Sequence, residues 1–224
     1  MTVHLQRDMD DLRRELLATG ALVEEATNKA INALVNRDRE MARDVVENDS
    51  LIDMKEVEVE EECLKLLALH QPVAVDLRYV VTCLKVNNDL ERMGDLAVNI
   101  AQRADYLARH PALSLPGELN RMAEGVRGMV RDSLDALVRQ DTDLARDILA
   151  RDDAIDDHNG RMFDKMTSMM MEDSSLVKRA VAFMSCSRAL ERIADHATNV
   201  AEDVIFMADG EIIRHRGESL DEES

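Results

Sequence analysis

Residues 90–101, LERMGDLAVNIA, return one hundred positions later as LERIADHATNVA at 190–201, identical at seven of twelve positions. The repetition continues upstream. LVNRDREMARDVVENDSLID at 34–53 matches LVRQDTDLARDILARDDAID at 137–156 at nine of twenty positions, now at an offset of 103. A chain that repeats itself at this length builds one structural unit twice. The three-residue change of offset places a loop-length difference between the two matched stretches, near HQPVAVDLR (70–78) and MEDSSLVKR (171–179).

The repeated unit reads as helical. Val86, Leu90, Met93, Ala97, Ile100, Ala104 and Leu107 step by alternating fours and threes, and Cys186, Leu190, Ile193, Ala197, Val200, Val204 and Met207 do the same. Such spacing lays one apolar seam along a helix. Each copy holds three helices, near 4–35, 39–69 and 74–109, then near 117–138, 142–171 and 175–208. Asp38 and Asp141 stand as N-caps before new apolar periods, and Pro72 stops the second helix. HPALSLPGE (110–118) is the breaker-rich segment that divides the copies.

Short turns between amphipathic helices make neighbours antiparallel. The expected fold is therefore all-α: two tandem, duplicated antiparallel three-helix bundles of six long helices, over 1–110 and 117–209. Residues 210–224 lose the periodicity and are expected to form a mobile acidic tail. Gly94, Ala97 and Ala101 should let helix backbones approach closely, and KMTSMMME (165–172) reads as core filling rather than a soft-metal site.

Charge limits the partners. A net charge of −18 repels nucleic acid and anionic lipid surfaces and favours cations or basic protein patches. No stretch has the length of apolar sequence that a membrane span needs. Cys63, Cys83 and Cys186 are odd in number and widely spaced, which suits buried, reduced thiols in a cytoplasmic protein.

Acidic pairs recur at equivalent places in both copies. Glu91 and Asp95 are four apart, as are Glu191 and Asp195; Asp49 and Asp53 are matched by Asp152 and Asp156. Four-residue spacing puts both carboxylates on one helical face, where like charges cost about 0.2–0.5 kcal/mol per pair unless neutralised. Asn99 and Asn199 continue the stripe, which lies away from the apolar seam and should face solvent or a neighbouring bundle. Oxygen donors of this kind suit hard cations such as Mg, Mn or Ca, and iron where several carboxylates bridge.

His158 and His196 are minor candidates: His196 follows Asp195 but points about 100° away on the helical wheel, and His158 lies near Asp156 in only one copy. Two alternatives stay open beside a metal site in a regulator. One is a metal-dependent phosphoester hydrolase; the other is a metal-free helical scaffold whose acids form a solvated face, screened by Arg92 and Arg192.

The strings PVAVDLRYVVTCLKVNNDLERMGDLAVNIA (72–101) and ALERIADHATNVAEDVIF (189–206) resemble the two signature segments of the PhoU family. The resemblance covers nearly the whole chain, including the duplication. It implies two three-helix bundles and a non-enzymatic negative regulator of phosphate uptake and phosphate-starvation signalling. Such a regulator links the cytosolic subunits of a phosphate ABC transporter to a sensor histidine kinase and meets the membrane only through these partners. It further implies mono- or multinuclear metal centres (Fe, Mn, Mg or Zn) at Asp49, Asp53, Glu91 and Asp95, and at Asp152, Asp156, Glu191 and Asp195. A homodimer is expected.

Overall fold

The computed structural model describes residues 3–114 and 116–213. Most of the expected tail, 214–224, lies outside the described residues. Every element among the described residues is helical: α1 (Val3–Asn36), α2 (Arg39–His70), α3 (Ala74–Ala108), α4 (Gly117–Arg139), α5 (Thr142–Leu149), α6 (Asp152–Glu172) and α7 (Val177–Asp209). A 3-10 turn, Ser174–Leu176, leads into α7.

The helix boundaries have local causes. Asp38 accepts hydrogen bonds from the Glu40 and Met41 backbone N–H groups at 3.0 Å, and Asp141 accepts one from Leu144 at 3.0 Å. These satisfy donors that a helix start otherwise leaves unpaired. Before Pro72, Gln71 turns to φ 46° and donates its N–H to Leu67, which closes α2. Gly210, at φ 73°, closes α7 in the same left-handed manner, and there glycine carries no Cβ penalty.

One expected helix differs. The stretch near 142–171 is interrupted at Ala150 and Arg151, where ψ rises to −13° and −14°. The Arg151 N–H reaches back three residues to Ile148 at 3.0 Å, a 3-10-type bond that tightens the turn. Its guanidinium binds Asp147 one turn behind and Asp132 of α4 at 2.6 Å. No glycine or proline marks the place, so the apolar period runs through it unbroken. The consequence is that Asp152 opens α6, whereas its counterpart Asp49 lies inside α2.

Each copy is an antiparallel bundle. Lys29–Asp44 and Lys55–Glu15 join α1 to α2, both in antiparallel register. Asn87 donates to the Glu56 carbonyl at 2.8 Å and Arg39 pairs with Asp105 at 2.9 Å, which fixes α2 against α3. In the second copy Glu118 of α4 meets His158 of α6 at 2.7 Å.

The two bundles share one core. The most extensive pairing between any two elements is α3 against α7, the equivalent helices of the two copies. All fourteen positions of the two expected seams are buried. At the joint Lys85 pairs with the buried Asp203, and Asp89 accepts from His196 and Asn199 at 2.8 and 3.1 Å. The three cysteines are buried, and burial pushes each thiol up to about 12. Met166 is buried and Met169 and Met170 pack against the core, while Met171 is exposed.

The isoleucines that follow the repeat show how the copies diverged. Ile52 on α2 lies against Gly94 of α3, where an added Cβ would stand 3.1 Å from its Cδ1. Its counterpart Ile155 turns instead to Gly125 of α4, with the corresponding approach at 2.6 Å. Gly160 on α6, by contrast, faces open space. Gly94→Val should therefore lower stability by about 1–3 kcal/mol through overpacking. Gly160→Ala should raise it by about 0.5–1 kcal/mol through helix propensity alone. Urea denaturation of the two variants checks the contrast; equal effects would contradict the close α2–α3 approach.

Candidate metal-binding carboxylate clusters

The acidic stripes of α2 and α3 face each other within the first copy, and those of α6 and α7 do so within the second. They do not point toward the neighbouring bundle. Each stripe sits where a helix face turns from the core to solvent: Asp49, Glu91, Asp95, Asp152 and Glu191 are partly buried, and Asp53, Asp156 and Asp195 are exposed.

In the first copy burial raises the Asp49 carboxyl above its ordinary range, helped by the charges of Asp53 and Asp95. Burial and Asp95 likewise raise Glu91. Arg92 opposes this, lying 3.3 Å from Glu91 and 3.4 Å from Asp95. Glu56, one turn beyond Asp53, belongs to the same cluster and is raised by burial and by Glu60 and Asp53. The acidic-pair spacing overlooked it, although three residues past Asp53 is the same helical face.

The second copy is more crowded. Burial pushes Asp152 up to about 6, reinforced by Asp195, Asp156, Asp153 and Glu191. Its Oδ1 is buried with no hydrogen-bond partner. Burial and neighbouring carboxylates also raise Asp156, Glu191 and Asp195. Asp153 joins this cluster from the position beside Asp152. The opening turn of α6 is a favourable place for negative charge, because the first backbone N–H groups point toward it. Glu191 and Asp195 also line an open groove of about 820 Å³ between α6 and α7.

The remaining candidates go elsewhere. Asn199 donates to Asp89 across the α3–α7 joint, and Asn99 is exposed on the outside of α3. His196 is held by Asp89 and His158 by Glu118. Every neighbour of a raised carboxylate named above belongs to its own copy, so the clusters are two separate places.

The donor set is all oxygen and strongly negative, which suits a hard cation, and the orphaned Asp152 oxygen is the strongest sign of an absent partner. Among the described residues, no three His, Cys, Asp or Glu side chains stand in an arrangement that could hold a metal ion as it is. A bound ion would have to draw the carboxylates inward.

Fold and clusters together define a duplicated helical protein, two copies of an acid-lined three-helix unit joined through their third helices. Among the described residues no helix is long and apolar enough to cross a membrane. The chain belongs to the PhoU family: the family model described as "PhoU domain" matches residues 6–104 and 119–204. It is similar to the phosphate-specific transport system accessory protein PhoU homolog of Aquifex aeolicus, 39% identical over 95% of this chain and 96% of the relative. The corresponding homolog of Pseudomonas putida is 40% identical over 94% and 82%. The crystal structure of PhoU from Pseudomonas aeruginosa superposes with a TM-score of 0.89 at 38% identity, covering 92% of this chain and 99% of that one. The phosphate transport system regulatory protein PhoU from Streptococcus pneumoniae gives a TM-score of 0.86 at 28% identity, covering 93% and 99%.

The crowding of Asp152 has a measurable sign. A carboxyl raised in the folded state contributes stability that is complete below its unfolded value of 3.8 and is lost as pH rises through about 6. In EDTA, Asp152→Asn should therefore be more stable than the parent at about pH 8, with the gap closing as pH falls through that window. Denaturant titration across pH reads it; a gap that does not change with pH would mean that Asp152 is not penalised.

Proposed function

We propose that the protein is an accessory regulator of a phosphate-specific transport system, acting by contact with other proteins rather than by catalysis. Family membership supports the transport assignment, and the relatives' names describe accessory and regulatory proteins. Its partners are the cytosolic subunits of a phosphate ABC transporter and a sensor histidine kinase, to which it signals phosphate sufficiency as a negative regulator. It works in the cytoplasm as a homodimer.

The regulator takes hard cations at its two carboxylate clusters, with Asp49, Asp53, Glu91 and Asp95 serving one copy and Asp152, Asp156, Glu191 and Asp195 the other. Manganese, magnesium, iron and zinc are the candidate ions. A cation there would relieve the repulsion among the carboxylates and tie α2 to α3 and α6 to α7. The observation that carries this reading is the buried, unpartnered Oδ1 of Asp152 amid four acidic neighbours.

Melting curves test it. A ligand held only by the native state adds RT ln(1 + [L]/Kd), about 2.7 kcal/mol at a hundred times Kd. Wild type should gain stability on adding Mn2+, and Glu191→Ala/Asp195→Ala should gain much less while being no less stable in EDTA. An equal response in both proteins would refute the ligand assignment.

Partner binding is expected to depend on salt. With a net charge of −18, association with basic patches on the transporter subunit should weaken between 0.05 and 0.5 M NaCl, as charges are screened over about 10 Å at 0.1 M. Co-purification at both salt levels reads this, and binding that ignores salt would contradict an electrostatic contact.

A further inference from the structure

The α6–α7 groove is not explained by the carboxylate clusters. It runs along α7 from Val181 to Asp195, and its volume of about 820 Å³ lies in the range of small-molecule sites. Its two ends differ in chemistry. At one end Phe163, Val181 and Met184 form an apolar wall; Phe163 is 58% exposed and Val181 49%, which leaves apolar surface in water. Beside that wall stand Arg188 and Arg192, one helical turn apart on α7. Among the described residues, neither arginine makes an ion pair or a side-chain hydrogen bond. Arg92, the first-copy counterpart of Arg192, is bound to Glu91 and Asp95.

The duplication supplies an internal comparison. At the offsets of the repeat, Gly160 corresponds to Val57, Phe163 to Glu60, Ser185 to Lys85 and Arg188 to Asn88. The second copy has thus lost bulk where the groove opens, and gained an aromatic wall and a second arginine. The glycine is not required by packing, since Gly160 faces open space.

We propose that this groove is a binding site for an amphipathic organic anion, with the apolar body lying on Phe163, Val181 and Met184 and the anionic head on Arg188 and then Arg192. Guanidinium groups favour carboxylate, sulfonate and phosphate heads because their paired N–H donors match two oxygens. Glu191 and Asp195 line the far end of the groove, so the head lies on the Arg188 side; Asp164, next to Phe163 in the chain, leaves a carboxylate near that side as well. Glu191 and Asp195 also belong to the proposed cation cluster, so the test is run without cation.

The probe is 8-anilinonaphthalene-1-sulfonate, titrated into the full chain in EDTA at low salt and followed by fluorescence. Its uncharged counterpart, N-phenyl-1-naphthylamine, serves as the comparison. Saturable one-to-one binding of the sulfonate is expected, at least tenfold tighter than that of the neutral compound. Arg188→Ala/Arg192→Ala should weaken sulfonate binding at least tenfold and leave the neutral compound unaffected. Gly160→Phe, which fills the groove, should weaken both. Should that variant fail to melt cooperatively, Phe163→Ala, a change at an exposed side chain, takes its place and should also weaken both. Equal binding of the sulfonate by wild type and the arginine variant would overturn the proposal. So would the absence of saturation, or a dimer that dissociates in Gly160→Phe with a rise in probe binding, which would make the groove an interface between copies.

Discussion

The packing of α3 against α7 is the contact on which the rest of the molecule depends. Each of these helices is the third of its own bundle and buries its seam against its two companions, so each is committed to core on several sides. Joining them makes one continuous apolar interior from two copies of a unit too small to bury much alone. Alanines at 97, 101, 104, 197 and 201 keep the seams narrow. The polar contacts at the joint then fix its register. Asp203 and Asp89 are almost fully buried, and a buried charge without its partner is strongly destabilising, so sliding α3 past α7 is disfavoured. These contacts are also one-sided. The repeat counterparts of Lys85 and Asp203 are Ser185 and Arg103, so the joint is symmetric in backbone but not in charge.

Once the seams point inward, the acidic positions are fixed. A residue one third of a turn from the seam of α3 lies at the crevice with α2, and the same holds for α7 with α6. The carboxylates therefore line the crevice, with Asp53, Asp156 and Asp195 at its solvent-exposed rim. In the first copy Arg92 contacts Glu91 and Asp95 directly, while in the second Arg188 and Arg192 offset Glu191 only at longer range and Asp152 is crowded by its neighbours. The notch at Ala150–Arg151 contributes, because it makes Asp152 the first residue of α6. The two clusters of the duplication thus differ: the first is ion-paired to its arginine, and the second is more crowded and less directly screened. The open groove lies beside the second cluster.

Much of this was legible in the sequence, because the features concerned are periodic. Seams at three-and-four spacing identify helices, and the capping aspartates identify their starts; both agree with the structure to within a residue or two. The eight carboxylates were found by four-residue spacing at repeat-equivalent places, and the structure does set them face to face. What escaped was aperiodic. The notch in the fifth helix comes from a tightened turn and an arginine reaching another helix, neither of which disturbs the apolar pattern. Asn199 and His196 belong to the α3–α7 joint, and no one-dimensional pattern shows that a residue on the acidic stripe will meet Asp89 of the other copy. The groove was invisible for the same reason: it arises from Gly160 and Phe163 on one helix and Arg188 on another.

The central claim is that the carboxylate crevices are cation sites and that the crowded second one is the stronger. Crystals grown with limiting Mn2+ and measured at the manganese edge test it most directly. The expected result is an anomalous peak among Asp152, Asp156, Glu191 and Asp195, with a second among Asp49, Asp53, Glu91 and Asp95 only as Mn2+ becomes abundant. Crystals with Mn2+ in excess and no peak in either crevice would contradict it.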